Sequence, residues 1–250
     1  MKILLTGHEG FIGSFLKDHF KDRAEVVCFE GDVTDKVNWY KYSASDWDVL
    51  IHLAALAGVR ASFDYPETYY KNNVIGTQHA LSFGSVHCNK VLYASSSNAY
   101  EWWGNPYAAT KMMNEVTAAH YDNAKGLRFH TVWSGRDDML YKKLQNNEVT
   151  YINASHTRDW VHVEDLCNAI LTIISNWTII DETVLDIGNG ETVSVLGMAQ
   201  KIFNWDGDIG ELRYENPAGE RVHTQANIEY LRKLGWKPKW DIMNEDMHTK

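Results

Sequence analysis

The chain opens KILLTGHEGFIGS, and its glycines Gly7, Gly10 and Gly13 constrain the fold more than any other feature. Met1–Thr6 reads as a short buried strand. Phe11–Phe20 reads as a helix, with Phe11, Ile12, Phe15, Leu16 and Phe20 on one face. A glycine triplet between a first strand and a first helix has a defined use. The first glycine permits the tight turn, the second lets backbone approach a pyrophosphate, and the third lets helix and strand pack closely. The pyrophosphate then rests on helix N–H groups. The segment is therefore read as a dinucleotide-binding loop.

The pattern continues as it began. Strands are expected at Glu25–Phe29, Asp48–Leu53, Lys90–Ala94 and Leu127–Val132, with helices at Pro66–Ser85, Tyr107–Tyr121 and Met139–Asn146. Strands alternating with helices imply a parallel sheet covered on both faces. The fold class is α/β: a Rossmann-type doubly wound parallel sheet with a small C-terminal α/β substrate-binding region. Residues 1–135 are assigned to the dinucleotide-binding domain and 136–250 to the second region, interleaved, with segments in about 150–187 returning to the first sheet. Past residue 135 the expected elements are a strand at Glu148–Ile152, a connecting HTRDW, and a helix from Val163 to Ser175. Strand Val184–Ile187, helix Val195–Phe203, strand Glu211–Tyr214 and helix Asn227–Leu234 complete it.

Composition removes several classes of function. The net charge of −9 over 250 residues argues against a nucleic-acid partner, which needs a dense positive surface. No apolar run reaches membrane-spanning length. Met1 leads directly into a strand, without a charged leader and apolar stretch, so no signal peptide is expected. Cys28, Cys88 and Cys167 are far apart and odd in number. They show neither metal spacing nor a disulfide framework, so a reducing, cytoplasmic setting and no metal are expected.

The second strand ends near Glu30, followed by Asp32. A carboxylate there accepts hydrogen bonds from a ribose diol and favours NAD over NADP; no arginine stands ready for a 2′-phosphate. Further on comes SSSNAYEWWGNPYAATK, Ser95–Lys111. Tyr107 and Lys111 stand four apart and share a helix face. A phenol titrates near pH ~10, and a neighbouring ammonium favours its ionised form. Tyr107 can then take a proton from a sugar hydroxyl while hydride leaves the carbon beneath it. A serine at the preceding strand end can bind the same oxygen.

These segments resemble the extended short-chain dehydrogenase/reductase family, in its nucleotide-sugar epimerase branch. The resemblance runs through TGHEGFIGS, IHLAALAGVRAS, NNVIGT, LYASSSNAY, PYAATK, LRFHTV, GRDDM, TRDWVHVEDL, DIGNGETVSV and LGWKP, in family order. AGVRAS, YAATK, RFHTV and GRDDM look most like UDP-glucuronate 4-epimerases. The resemblance implies Ser96 as catalytic serine, Tyr107 as base and Lys111 as its partner. It places Gly7, Gly10, Phe11, Ile12 and Gly13 along an NAD pyrophosphate, with Asp32 and Val33 at the adenine. Leu53, Ala54, Ala55, Asn72 and Ala94 would line the cofactor, with Phe129 and His130 flanking the nicotinamide. Thr131 and Arg158 would contact the diphosphate side of the sugar nucleotide, and Glu220 its ribose. Asp159 would be structural. Arg221 would substitute for an arginine that family members carry where Pro217 stands here. Arg60 and Arg136 are positional candidates for a sugar carboxylate, each with a plain surface role as its alternative. The family also implies a homodimer, through the helices at Pro66–Ser85 and Tyr107–Tyr121.

Three reactions share this framework. A 4,6-dehydratase needs an acid/base pair just after the catalytic hydroxyl, where Ser97 and Asn98 stand and can carry no proton as carboxyls would. A nucleotide-sugar 4-reductase would consume reduced cofactor. An epimerase oxidises C4 to a transient 4-keto sugar and returns the hydride to the other face. The expected function is therefore NAD-dependent epimerisation at C4 of a UDP-sugar, of the glucuronate/galacturonate type. Non-catalytic dinucleotide binding is the alternative from another class; the intact Tyr107 and Lys111 speak against it. Trp102 and Trp103, in a bridge shorter than the family's, either wall the sugar or cap the shortened loop.

Overall fold

The computed structural model describes residues 1–136, 139–205 and 211–244. Two compact units emerge: Met1–Arg128 with Ile173–Leu185, and Phe129–Thr172 with Asp186–Lys250.

In the first unit the order is β1 (Lys2–Thr6), α1 (Phe11–Phe20), β2 (Glu25–Cys28), α2 (Lys36–Tyr40), β3 (Trp47–His52), α3 (Val59–Asp64) and α4 (Pro66–Tyr69). A π-helical turn at Tyr70–Ile75 leads into α5 (Gly76–His87) and β4 (Cys88–Ser96). A 3₁₀ stretch at Ser97–Gly104, α6 (Pro106–Ala118) and β5 (Ala124–Phe129) follow. The main sheet has the order β2-β1-β3-β4-β5-β9. β1 pairs in parallel with both β2 and β3, and β3 with β4. Strand order reverses between β1 and β3, the switch point at which such sheets bind ligands beyond their carboxyl ends. The central strands are apolar on both faces, as a sheet covered on both sides requires: Leu4, Leu50, Ile51, Val91 and Leu92 are fully buried. Each such side chain contributes about 1.5–3 kcal/mol by leaving water.

The second unit contains β6 (Thr131–Trp133), α7 (Leu140–Gln145), β7 (Tyr151–Asn153), β8 (Thr157–His162) and most of α8 (Val163–Ser175). β9 (Val184–Ile187) returns to the main sheet, and β10 (Thr192–Ser194), α9 (Val195–Phe203), β11 (Glu211–Arg213) and α10 (Glu229–Lys233) close the chain. β8 lies between β10 and β6, antiparallel to the first and parallel to the second. Trp133, Trp160, Met198 and Ile242 share this unit's own apolar cluster.

Three expected elements need correction. Leu127–Val132 is two strands rather than one: β5 ends at Phe129, and β6 begins at Thr131 in a different sheet. Apolar patterning reports burial, and a strand that changes partners remains buried throughout. HTRDW is largely strand, because Thr157–His162 is flanked by two partners. The helix expected at Pro66–Ser85 runs on to His87 and contains the π turn.

Candidate active site

The glycine loop sits at the end of β1. Gly7 has φ +70°, and a β-carbon there would lie 2.6 Å from the Ala54 backbone nitrogen. A β-carbon on Gly13 would lie 2.0 Å from the Gly7 carbonyl oxygen. Both positions exclude any side chain. Gly10 precedes α1, whose N-terminus has no side-chain cap and no acidic residue in its first turn. An uncapped helix start beside a side-chain-free turn fits a pyrophosphate, so the loop fits the dinucleotide expected here. Leu53, Ala54 and Ala55 follow β3, and Ala54 N–H donates to the Thr6 hydroxyl at 3.1 Å.

At the end of β2, Glu30 is exposed, with His8 Nε2 3.7 Å from its carboxylate. Asp32 accepts from Thr34 N–H at 2.8 Å, and that bond holds its carboxyl below the usual range. Val33 is buried in the core; its carbonyl accepts from Trp39 Nε1–H at 3.0 Å, and its side chain packs over Gly76.

The Tyr–Lys segment is built by its caps. Asn105 accepts from Ala108 N–H at 2.7 Å and Pro106 takes the first helical position, so α6 starts firmly one residue before Tyr107. Lys111 is 2 % exposed, and its Nζ donates to the Ala94 carbonyl at 2.8 Å. That ammonium also stands 5.8 Å from the Tyr107 ring centre. Burial pulls Lys111 down to about 8, and Glu115 pulls the other way. Ser96 is buried at the end of β4, and its hydroxyl accepts from the Asn98 backbone at 3.2 Å. Tyr107 meets Tyr69 edge-on at 6.2 Å. The bridge between serine and tyrosine is the kinked 3₁₀ stretch, in which Trp102 and Trp103 meet edge-on at 6.0 Å and remain exposed. They line a shallow groove with Phe63, Tyr70 and Ala109.

Several residues that support this segment were not expected from the sequence. Asn73, fully buried, accepts from Leu56 N–H at 2.8 Å and donates to the Leu56 carbonyl and the Thr110 hydroxyl, each at 3.0 Å. Its neighbour Asn72, the expected cofactor residue, is half-buried and donates to the Thr68 carbonyl. His52 links Thr6, at 2.8 Å, to Thr77, at 3.2 Å, and Asn114 donates to the same Thr77 hydroxyl. Glu115 accepts from Ser95 and from Arg128. The repeated NN of NNVIGT was the one available signal for Asn73.

The second unit gathers a separate cluster. Arg158 donates to the carbonyls of Thr157 and Val222, and its other nitrogen lies 2.8 Å from His156 Nδ1. His156 Nε2 lies 2.9 Å from Asn216 Oδ1, and Glu220 approaches the same imidazole at 4.0 Å. Burial lowers Arg158, Glu220 opposes this, and Arg221 adds to it. Arg158, Glu220 and Arg221 thus come together, with His156 as an unforeseen member. Asp159 is buried and accepts from the backbone N–H groups of Asn189, Gly190 and Ala226. His130 is also buried, with Nε2 3.7 Å from Asp186, while Phe129 and Thr131 on either side are half-buried. Arg60 is an exposed residue of α3, and Arg136 is half-buried. Asp137 and Asp138 of GRDDM lie outside the described residues.

The fold and site define a dinucleotide-binding α/β protein with a buried lysine paired to a tyrosine. A sequence model of the NAD-dependent epimerase/dehydratase family matches residues 3–188. The chain belongs to that family and is an NAD-dependent enzyme. Protein CapI of Staphylococcus aureus is 29% identical, covering 98% of this chain and 96% of its own. A putative UDP-glucose 4-epimerase of Methanocaldococcus jannaschii is 28% identical, covering 96% and 94%. A UDP-glucuronic acid 4-epimerase variant of Bacillus cereus, solved with NAD and a fluorinated UDP-glucuronic acid, superposes with TM-score 0.83 at 25% identity, covering 99% and 98%. MoeE5, solved with UDP-glucuronic acid and NAD, gives TM-score 0.82 at 26% identity, covering 100% and 97%. Among the described residues no helix is long and apolar enough to cross a membrane.

Proposed function

We propose that the protein inverts C4 of a UDP-sugar, of the UDP-glucuronate/galacturonate type. The observation that carries this reading is the seating of Lys111: buried, bonded to Ala94, and one helical turn from Tyr107. A buried ammonium beside a phenol favours the phenolate, and the phenolate is the base that C4 oxidation needs. Ser96 holds the reacting oxygen beside it. Lys111 donates to the nicotinamide ribose as well as to Ala94. Bound NAD supplies hydride acceptance and return. Gly7, Gly10, Phe11, Ile12 and Gly13 hold its pyrophosphate; Glu30 and Asp32 hold the adenosine end; Leu53, Ala54, Ala55, Asn72, Phe129 and His130 line it. Thr131, Arg158, Glu220 and Arg221 bind the nucleotide, and Arg60 and Arg136 the sugar carboxylate. Ser97 and Asn98 carry no carboxyl, which favours epimerisation over dehydration.

The reading extends to a cytoplasmic homodimer. Exposed Ile75, Met113 and Val116 supply apolar surface on the helices concerned, and light scattering of the purified protein tests the dimer.

The main test incubates purified protein with UDP-glucuronate and other UDP-, dTDP- and GDP-sugars and resolves the products by NMR. The expected product is the C4 epimer, without net consumption of NADH or NADPH. A 4-keto-6-deoxy product would replace the epimerase reading with a dehydratase. Tyr107→Phe should lose about 10²–10⁴-fold in turnover, the usual contribution of a positioned acid/base.

A further inference from the structure

Beneath Lys111 lies a second charged group that the proposed chemistry leaves unused. Glu115 is one turn further along α6, on the same face, and 7 % exposed. Three donors hold its carboxylate. Ser95 Oγ–H donates at 2.5 Å, Arg128 Nε–H at 2.9 Å to the same oxygen, and Arg128 Nη2–H at 2.6 Å to the other. The Arg128 guanidinium in turn lies 4.2 Å over the Tyr100 ring. The donors come from β4 and β5, so Glu115 is held from two strands, and Tyr100 of the 3₁₀ bridge backs the guanidinium.

The three consecutive residues at the end of β4 divide the work. Ala94 gives its carbonyl to Lys111, Ser95 gives its hydroxyl to Glu115, and Ser96 has its hydroxyl on the Asn98 side. Ser95 and its neighbours point to opposite faces of the sheet, as strand geometry demands. The hydroxyl run therefore carries two separate jobs.

Every charged or titratable group around Lys111 bears on its protonation. Glu115, on its own helix, favours the ammonium. His52 from β3 is held neutral by burial, and by Lys111 in turn, so it adds no positive charge. Arg128 from β5 is paired with Glu115 and offsets part of the charge that Glu115 presents to Lys111. The Tyr107 ring centre lies 5.8 Å from the ammonium, and Tyr93 and Tyr100 border the Arg128 end of the cluster.

We propose that Glu115, clamped by Arg128 and Ser95, is a positioning residue that keeps Lys111 charged and seated on the Ala94 carbonyl. It touches neither substrate nor cofactor and acts through Lys111; the inference rests on the reading of Tyr107 and Lys111 as the proton-handling pair.

The test follows the Lys111 ammonium directly, by NMR of lysine-labelled protein titrated from neutral to alkaline pH. The signal is assigned with Lys111→Arg. Glu115→Gln should move the Lys111 titration down by about 1 pH unit or more. Arg128→Met should move it up, because the positive charge that offsets the Glu115 carboxylate is removed. Glu115→Asp and Arg128→Lys, which keep the charges, should leave it near wild type. On the epimerase reading, kcat should fall about twofold at neutral pH in Glu115→Gln and approach a tenfold loss only at pH ~9 and above, with KM unchanged, because Lys111 titrates near 8 and one pH unit is tenfold only where it is mostly neutral in both forms. The pH–rate limb should move with the NMR titration. A merely structural cluster would lower stability in both variants without moving the titration, or would move it the same way in both; either result overturns the proposal. Should Glu115→Gln fail to fold, Arg128→Met decides alone by the direction of its shift. Opposite NMR shifts in a protein that turns over no UDP-sugar would retain this inference and remove the epimerase reading.

Discussion

The two units hold their buried polar groups by different means. In the first, side chains hold side chains: Thr6 to His52 to Thr77 to Asn114, Asn73 to Thr110, and Ser95 to Glu115 to Arg128. In the second, carboxylates hold main chain. Asp159 takes three backbone N–H groups, Asp165 takes those of Lys239 and Trp240, and Asp186 takes that of Asn227. The cause lies in the elements. Strands and helices of the first unit satisfy most of their own backbone, so strand-end and helix side chains pair largely with one another, Asn73 on Leu56 and Lys111 on Ala94 being exceptions. The second unit packs long irregular stretches, about 214–228 and 234–244, whose N–H groups need acceptors from elsewhere. A buried carboxylate with two oxygens is an efficient acceptor for such chain.

The largest expected effect is at Asp159. Asp159→Ala leaves one buried and two part-buried N–H groups without their acceptor, each costing about 1–3 kcal/mol with the part-buried ones at the low end, so a loss of about 3–5 kcal/mol is expected in denaturant unfolding. A loss below about 1 kcal/mol would mean that the carboxylate is not what orders those stretches.

Asn73→Ala is the counterpart in the first unit. It strips both backbone groups of Leu56 of their partner and should cost about 2–3 kcal/mol. It should also weaken NAD binding measured by calorimetry, since Leu56 continues the segment after β3. An unchanged affinity would separate this network from the cofactor loop.

The pH response distinguishes the units further. Burial holds folded His52 neutral down to about 3, whereas unfolded it takes a proton near 6.5. The unfolded chain binds more protons between those values, so stability contributed by neutral His52 falls as the pH drops through that window. The expected loss is about 2 kcal/mol by pH ~5. Asp159 and Asp165, raised by burial, act in the opposite sense, because the folded chain takes up their protons first on acidification. His52→Gln should therefore flatten the acid slope of the unfolding free energy. A slope unchanged by that substitution would place the acid sensitivity elsewhere.

The smallest effect is expected at the exposed bridge. Trp103→Ala should change stability by less than about 0.5 kcal/mol, as an exposed side chain does. A fall in turnover there without a change in stability would make the bridge a wall of the sugar site; unchanged turnover would leave it a cap.

Much of this was legible before any coordinates. A tight turn, a glycine contact and a Tyr–Lys pair at i and i+4 are local, so spacing alone specifies Gly7, Gly13, Tyr107 and Lys111 as a loop and a helix face. The strand–helix alternation carried the first unit for the same reason, since burial of one face imposes its own period. Tertiary structure alone decided the rest. Thr6 and His52 are 46 residues apart and meet only because β1 and β3 pair in one register. Glu115 reads as an ordinary helical carboxylate until β4 and β5 bring Ser95 and Arg128 against it. The change of sheet between Phe129 and Thr131 leaves no trace in an apolar pattern, because burial is the same on either side. Periodicity encodes which face of an element is buried; which partner it is buried against depends on strand order and register, and the side-chain networks around Lys111 and Asp159 depend on both.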